Sequence, residues 1–151
     1  MFGRKQLTSV YIVDDNSDAI EVLRRMLESQ YSVKVIGTST DADTAIEEII
    51  QLAPDLIFTD IKMPEMDGME FLSGYHDGMQ QQGNEEAPVV VITGHGSVDA
   101  AVEALKGGAF DFIQKPLDLN RLLLTTKHAI DHKSLEQEAK VLRKKVGKRN
   151  Q

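Results

Sequence analysis

Five short apolar runs, each followed by apolar residues at helical spacing, limit what this chain can fold into more than any other feature. The runs are Ser9 to Val13, Val33 to Ile36, Asp55 to Thr59, Pro88 to Ile92 and Phe110 to Ile113. After the first, Ile20, Leu23 and Leu27 recur every three or four positions, with Asn16 or Ser17 placed to cap a helix. Ala42, Ala45, Ile46, Ile49 and Ile50 make one apolar face of a second helix, and a third passes through Phe71 and Leu72. Val98 to Leu105 reads as a fourth, and Pro116 and Asp118 open a last one through Leu122, Leu123, Leu124, Ala129 and Ile130. The strands are too apolar for one-sided exposure, so a parallel sheet covered by helices on both faces is expected, with right-handed crossovers. Gly37 reads as the end of the second strand. The polar stretch Asp77 to Ala87, rich in Gln, Gly and Glu, reads as an exposed mobile loop.

In such a sheet, ligands bind beyond the carboxyl ends of the strands. Asp14 and Asp15 follow the first strand, Asp60 the third, Thr93 the fourth and Lys115 the fifth. Taken singly, the acidic pair could be a turn or cap, Thr93 a strand-end hydroxyl and Lys115 a solvated charge. Gathered at one pole of one sheet, they make a site. Three ionised carboxylates repel one another unless a cation offsets them. All-oxygen ligands with open positions suit Mg²⁺, which bridges readily to phosphate oxygens. A carboxylate such as Asp60 can then attack phosphorus and become an acyl phosphate. Positioning and electrostatics carry most of such a transfer, with Lys115 as a point charge and Thr93 as a hydroxyl donor.

Composition narrows the alternatives. The 151 residues include no Cys, which excludes disulfides, zinc thiolate sites and thiol nucleophiles. No run approaches the roughly 20 apolar residues of a membrane span, and no signal peptide is visible. A cytoplasmic location with no membrane partner suits this composition and is the expectation, though it does not follow from it. The net charge of −7 is uneven: from His132 onward seven basic residues face only Glu136 and Glu138. The acidic body speaks against direct binding of nucleic acid by this domain.

The segments Val10-Tyr-Ile-Val-Asp-Asp15, Asp55-Leu-Ile-Phe-Thr-Asp-Ile-Lys-Met-Pro-Glu-Met-Asp-Gly68, Val90-Val-Ile-Thr-Gly94 and Gly108-Ala-Phe-Asp-Phe-Ile-Gln-Lys-Pro116 closely resemble the receiver (CheY-like) domain of two-component response regulators. The resemblance covers roughly residues 8 to 130. It implies a flavodoxin-like (βα)5 doubly wound parallel five-stranded sheet, order 2-1-3-4-5, to which the residue pattern adds an extended C-terminal helix. By that likeness Asp60 is the phosphoacceptor, and Asp15 and Asp60 bind Mg²⁺ directly. Asp14 acts through water, and the Lys62 carbonyl completes the protein's share of the metal sphere. Thr93 and Phe112 are the switch residues, Phe112 standing where many relatives carry Tyr, and Lys115 is the site lysine. Lys62 and His95 occupy the two positions that tune phosphoryl lifetime. The resemblance also implies a sensor histidine kinase or phosphotransfer protein as donor.

The last helical pattern outruns the domain, which is read as residues 1–131 followed by a basic helical extension or linker, 132–151. Leu135, Ala139, Leu142 and Val146 have four-three-four spacing, as in a coiled-coil seam. A homodimer is expected, through the fourth helix, fifth strand and fifth helix, or through this extension. The chain is read as the amino-terminal part of a transcriptional regulator. Two other readings compete with this one. A haloacid-dehalogenase-like aspartate phosphatase would need a second Asp two residues after the nucleophile, where this chain has Lys62. A non-phosphorylated dimerisation module would be expected to have lost Asp60 or Lys115, and both are present.

Overall fold

The computed structural model describes residues 7–30, 32–61, 68–83, 85–94 and 98–149. Its elements alternate strictly: β1 (Thr8–Val13), α1 (Ser17–Glu28), β2 (Val33–Ser39), α2 (Ala42–Leu52), β3 (Leu56–Asp60), α3 (Gly68–Gln82), β4 (Val89–Thr93), α4 (Val98–Lys106), β5 (Asp111–Gln114) and α5 (Leu119–Arg149). The five strands are all parallel, in the order β2-β1-β3-β4-β5. The flavodoxin-like doubly wound arrangement expected from the sequence is the one observed.

The period of two explains why the central strands are apolar throughout. Tyr11 and Val13 of β1, Ile57 of β3 and Val89 and Val91 of β4 join the cluster under α2, α3 and α4. Their neighbours Val10, Ile12, Leu56, Phe58, Val90 and Ile92 join the other cluster, with Ile20, Leu23 and Leu27 of α1 and Leu122 and Ala129 of α5. Each central strand is therefore wetted on neither face. Helix starts are capped as the residue types predict. The Asn16 side chain accepts from the Asp18 and Ala19 N–H groups, Asp41 from Thr44, and Asp118 from Arg121.

Two sequence expectations need correcting. Gly37 does not end β2, which continues to Ser39: the pairing skips Ile36 and resumes with Gly37 opposite Tyr11. Most of the stretch expected to be a mobile loop is helix, since α3 runs to Gln82 with Tyr75 and Met79 buried. The connection back to β4 is tied down as well. The Ala87 N–H donates to the buried Tyr75 hydroxyl at 2.6 Å, and His76 Nδ1 lies 2.8 Å from a Glu86 carboxylate oxygen.

The last helix is a single 31-residue element, about 45 Å long at 1.5 Å per residue. Beyond residue 131, Lys133 Nζ reaches Asp55 at 3.4 Å and Lys140 Nζ reaches Glu85 at 3.4 Å. Leu135, Val141 and Leu142 on the same stretch are exposed. No helix among the described residues is long and apolar enough to cross a membrane.

Candidate functional site

Strand register sets the site. Asp60 is the last residue of β3 and pairs with Ile92, one residue before Thr93 closes β4. Asp14 directly follows β1, where its N–H donates to the Ser39 carbonyl at 3.1 Å. Lys115 directly follows β5, where its N–H donates to the Thr93 carbonyl at 2.8 Å. Four strand tips thus deliver their polar residues to one pole of the sheet.

Asp14, Asp15 and Asp60 each offer an oxygen within 4.8 Å of the others, with Asp14 and Asp60 buried and Asp15 exposed. Burial pushes the Asp14 carboxyl up to about 6, against the pull of the Asn16 N–H. The Asp60 charge and the Asp15 side chain contribute to that rise, while the Lys115 ammonium opposes it. That frustration is what a cation would relieve. The donors are all oxygen, with neither His nor Cys among them, which suits a hard divalent ion and not a soft one. The residues present therefore fit Mg²⁺. Lys62 and His95 lie outside the described residues.

Thr93 is fully buried, and its hydroxyl has no hydrogen-bond partner among the described residues. An unsatisfied buried hydroxyl is uncommon and costs about 1–3 kcal/mol. Phe112 pairs with Val91, two residues before Thr93, and its ring packs against the cluster that contains Val91. By the period of two, Thr93 and Phe112 share a face of the sheet. Sequence reasoning missed two side chains around Phe112. The Phe112 N–H donates to Asp111 Oδ1 at 2.7 Å, and its carbonyl accepts from Arg121 Nη2 at 3.1 Å. Nothing in the residue pattern marks them, because the contact joins a strand to a helix across a bend.

A parallel α/β sheet with a partly buried carboxylate cluster at its carboxyl pole, and a buried threonine hydroxyl at the end of the next strand, is the arrangement of a phosphoacceptor module. The comparisons with known proteins agree. A family model described as the response regulator receiver domain matches residues 10–127. The nitrogen assimilation regulatory protein NtrX of Azorhizobium caulinodans is 38% identical over 137 residues, covering 89% of this chain and 28% of that protein. The DNA-binding transcriptional regulator NtrC of Escherichia coli is 33% identical over 129 residues, covering 85% and 26%. Among solved structures, NtrX from Brucella abortus superposes with a TM-score of 0.78 at 34% identity, covering 89% of this chain and 29% of that one. A receiver domain protein from Clostridium thermocellum does so with a TM-score of 0.75 at 27% identity, covering 85% and 98%.

The chain belongs to the response regulator receiver domain family of two-component systems. It spans less than a third of the length of the curated relatives it matches.

Proposed function

We propose that Asp60 accepts a phosphoryl group from the phosphohistidine of a sensor histidine kinase or phosphotransfer protein. The residues that would hold Mg²⁺ are Asp14, Asp15, Asp60 and the Lys62 carbonyl; when bound, it supplies positive charge for the carboxylates and for the phosphoryl oxygens. An Asp60 carboxylate oxygen attacks phosphorus, and the bond from phosphorus to the donor nitrogen breaks. Lys115, whose charge already reaches Asp14, steadies one phosphoryl oxygen. Thr93 donates its hydroxyl to another through a charge-assisted hydrogen bond. That movement frees space on the face shared with Phe112, whose ring turns inward. Because Phe112 carries no hydroxyl, its readout rests on packing. Lys62 and His95 bear on the path of the hydrolytic water and so on phosphoryl lifetime.

The observation that carries this reading is the Thr93 hydroxyl, buried and without a hydrogen-bond partner among the described residues, one strand away from the buried Asp60. Acetyl phosphate with Mg²⁺ is expected to give a hydroxylamine-labile phosphoprotein, and chelation of the metal to abolish it. Lys115→Ala is expected to keep metal binding, read as an NMR shift titration with Mg²⁺, while phosphorylation no longer alters the dimer equilibrium. Turnover of a simple phosphomonoester at steady rate, or no labelling by acetyl phosphate, would overturn the assignment.

We further propose that residues 1–131 are the receiver unit, that 132–151 link it to the remainder of a cytoplasmic transcriptional regulator, and that two copies associate through α5. Leu135 and Leu142, 64% and 61% exposed and seven residues apart, form the seam. Sedimentation is expected to show a concentration-dependent dimer that Leu135→Lys combined with Leu142→Lys converts to monomer. A parent that stays monomeric at high concentration would sink this part.

A further inference from the structure

We infer that Arg121 is the positioning residue through which a change at Phe112 reaches α5; this rests on the switch reading given above. β5 is an edge strand. The Lys115 N–H donates to the Thr93 carbonyl at 2.8 Å. Counting back by twos, the main chain of Ile113 and Asp111 faces β4, while that of Phe112 faces away from the sheet. An outward-facing edge peptide ordinarily meets water or another chain. At Phe112 both of its polar groups are instead taken by side chains.

Three contacts close a ring around this one residue. The Phe112 N–H donates to Asp111 Oδ1 at 2.7 Å, and Arg121 Nη2 donates to the Phe112 carbonyl at 3.1 Å. The same Nη2 lies 3.5 Å from the same Asp111 Oδ1. Arg121 is itself set by the first turn of α5, where its N–H donates to Asp118 Oδ2 at 2.9 Å and the Leu122 N–H to the Asp118 carbonyl at 2.9 Å. As a half-exposed ion pair the Asp111–Arg121 contact contributes little to stability. Its placement is what matters.

Phe112 packs with the cluster on one face of the sheet, and Leu122 belongs to the cluster on the other. The Arg121 contact runs around the free edge and ties the two together. When the Phe112 ring turns, the main chain that carries it pulls on a guanidinium fixed to α5. The helix so engaged is the one that continues to Arg149. A cap that merely protects the edge would affect stability alone, whereas a positioning residue alters the response to phosphorylation.

The test is amide NMR of the full chain with and without acetyl phosphate and Mg²⁺, for the parent, Arg121→Ala, Arg121→Lys and Asp111→Asn. In the parent, labelling is expected to shift Phe112 and residues 121–125 together. In R121A, labelling and the Phe112 shift should persist while the shifts at 121–125 fall by at least about fivefold. R121K, which restores a cationic donor but not the fork, should recover part of the response. D111N, which keeps an acceptor for the Phe112 N–H but loses the charge that holds Arg121, should fall between. Equal α5 shifts in the parent and R121A overturn the role of Arg121 and leave the switch reading intact. Loss of labelling in R121A and R121K also overturns it, by placing Arg121 at the acceptor site. A labelled parent in which Phe112 does not shift overturns the switch reading, and this inference with it.

Discussion

Asp60→Asn is expected to reduce labelling by acetyl phosphate by more than about a thousandfold, because it removes the nucleophile and leaves its shape. The amide is nearly isosteric with the carboxyl, and the side chain stays in its buried place at the end of β3. Its nitrogen holds no lone pair available for attack, and its oxygen carries no full charge. The fold should not suffer. Asp60 is one of the groups that hold the Asp14 carboxyl above its ordinary value. Removing that charge lets Asp14 return toward the usual carboxylate range, so less repulsion is stored at the sheet's carboxyl pole. The expected pair of results is therefore an unlabelled protein whose thermal stability in metal-free buffer equals or exceeds the parent's. Asp15→Ala gives the contrasting outcome, weak labelling that higher Mg²⁺ restores in part, since it removes a ligand and keeps the nucleophile. Phosphopeptide mapping decides. A stable acyl phosphate on the Asn variant, at Asp14 or elsewhere, would show that the acceptor has been misplaced.

How far the sequence carried is best judged residue by residue. The central strands were legible because burial on both faces leaves a continuous apolar run, and the ends of β1 and β3 were legible because an aspartate stops each run. Asp14, Asp15, Asp60, Thr93 and Lys115 could be placed together on that basis alone, since a parallel doubly wound sheet brings strand ends to one pole. What could not be read was anything decided by close approach between elements. The distal part of α3 looked like loop because the stretch from Asp77 is largely polar and carries Gly78 and Gly83, and glycine disfavours helix. Yet a Cβ at Gly74 would stand 3.0 Å from Ile46 Cδ1, so the small residue there is what lets α3 lie against α2. The Thr93 hydroxyl, which has no partner among the described residues, and the ring of contacts at Phe112 were equally invisible. Each depends on which atoms meet, or fail to meet, across elements far apart in sequence, and residue spacing does not encode that.

Gly37 sharpens the point, because local preference and packing predict opposite signs for one substitution. By strand propensity, Gly37→Val should help: β-branched residues favour strands by up to about 1 kcal/mol. Replacing glycine also restricts the unfolded chain, a gain of about 0.4–1 kcal/mol where the backbone allows it. The structure says otherwise. A Cβ at position 37 would lie 2.6 Å from Tyr11 Cε2, 2.8 Å from Cδ2 and 3.1 Å from Leu52 Cδ1. The Tyr11 ring cannot easily give way, being fully buried on β1 with its hydroxyl bonded to Glu48. Overpacking against a fixed neighbour costs about 1–3 kcal/mol for a modest insertion and more for a larger one. Valine brings two further methyl groups into the same space, so the clash outweighs both local gains, and a net loss of about 2 kcal/mol is expected. In a chain of this size that lowers the melting temperature by about 4–8 °C. Because Gly37 lies two residues before the carbonyl of Ser39 that holds Asp14, the folded variant should also label more slowly than the parent. A melting temperature equal to or above the parent's would mean that the Tyr11 ring yields after all, and that β2 obeys its propensity and not its packing.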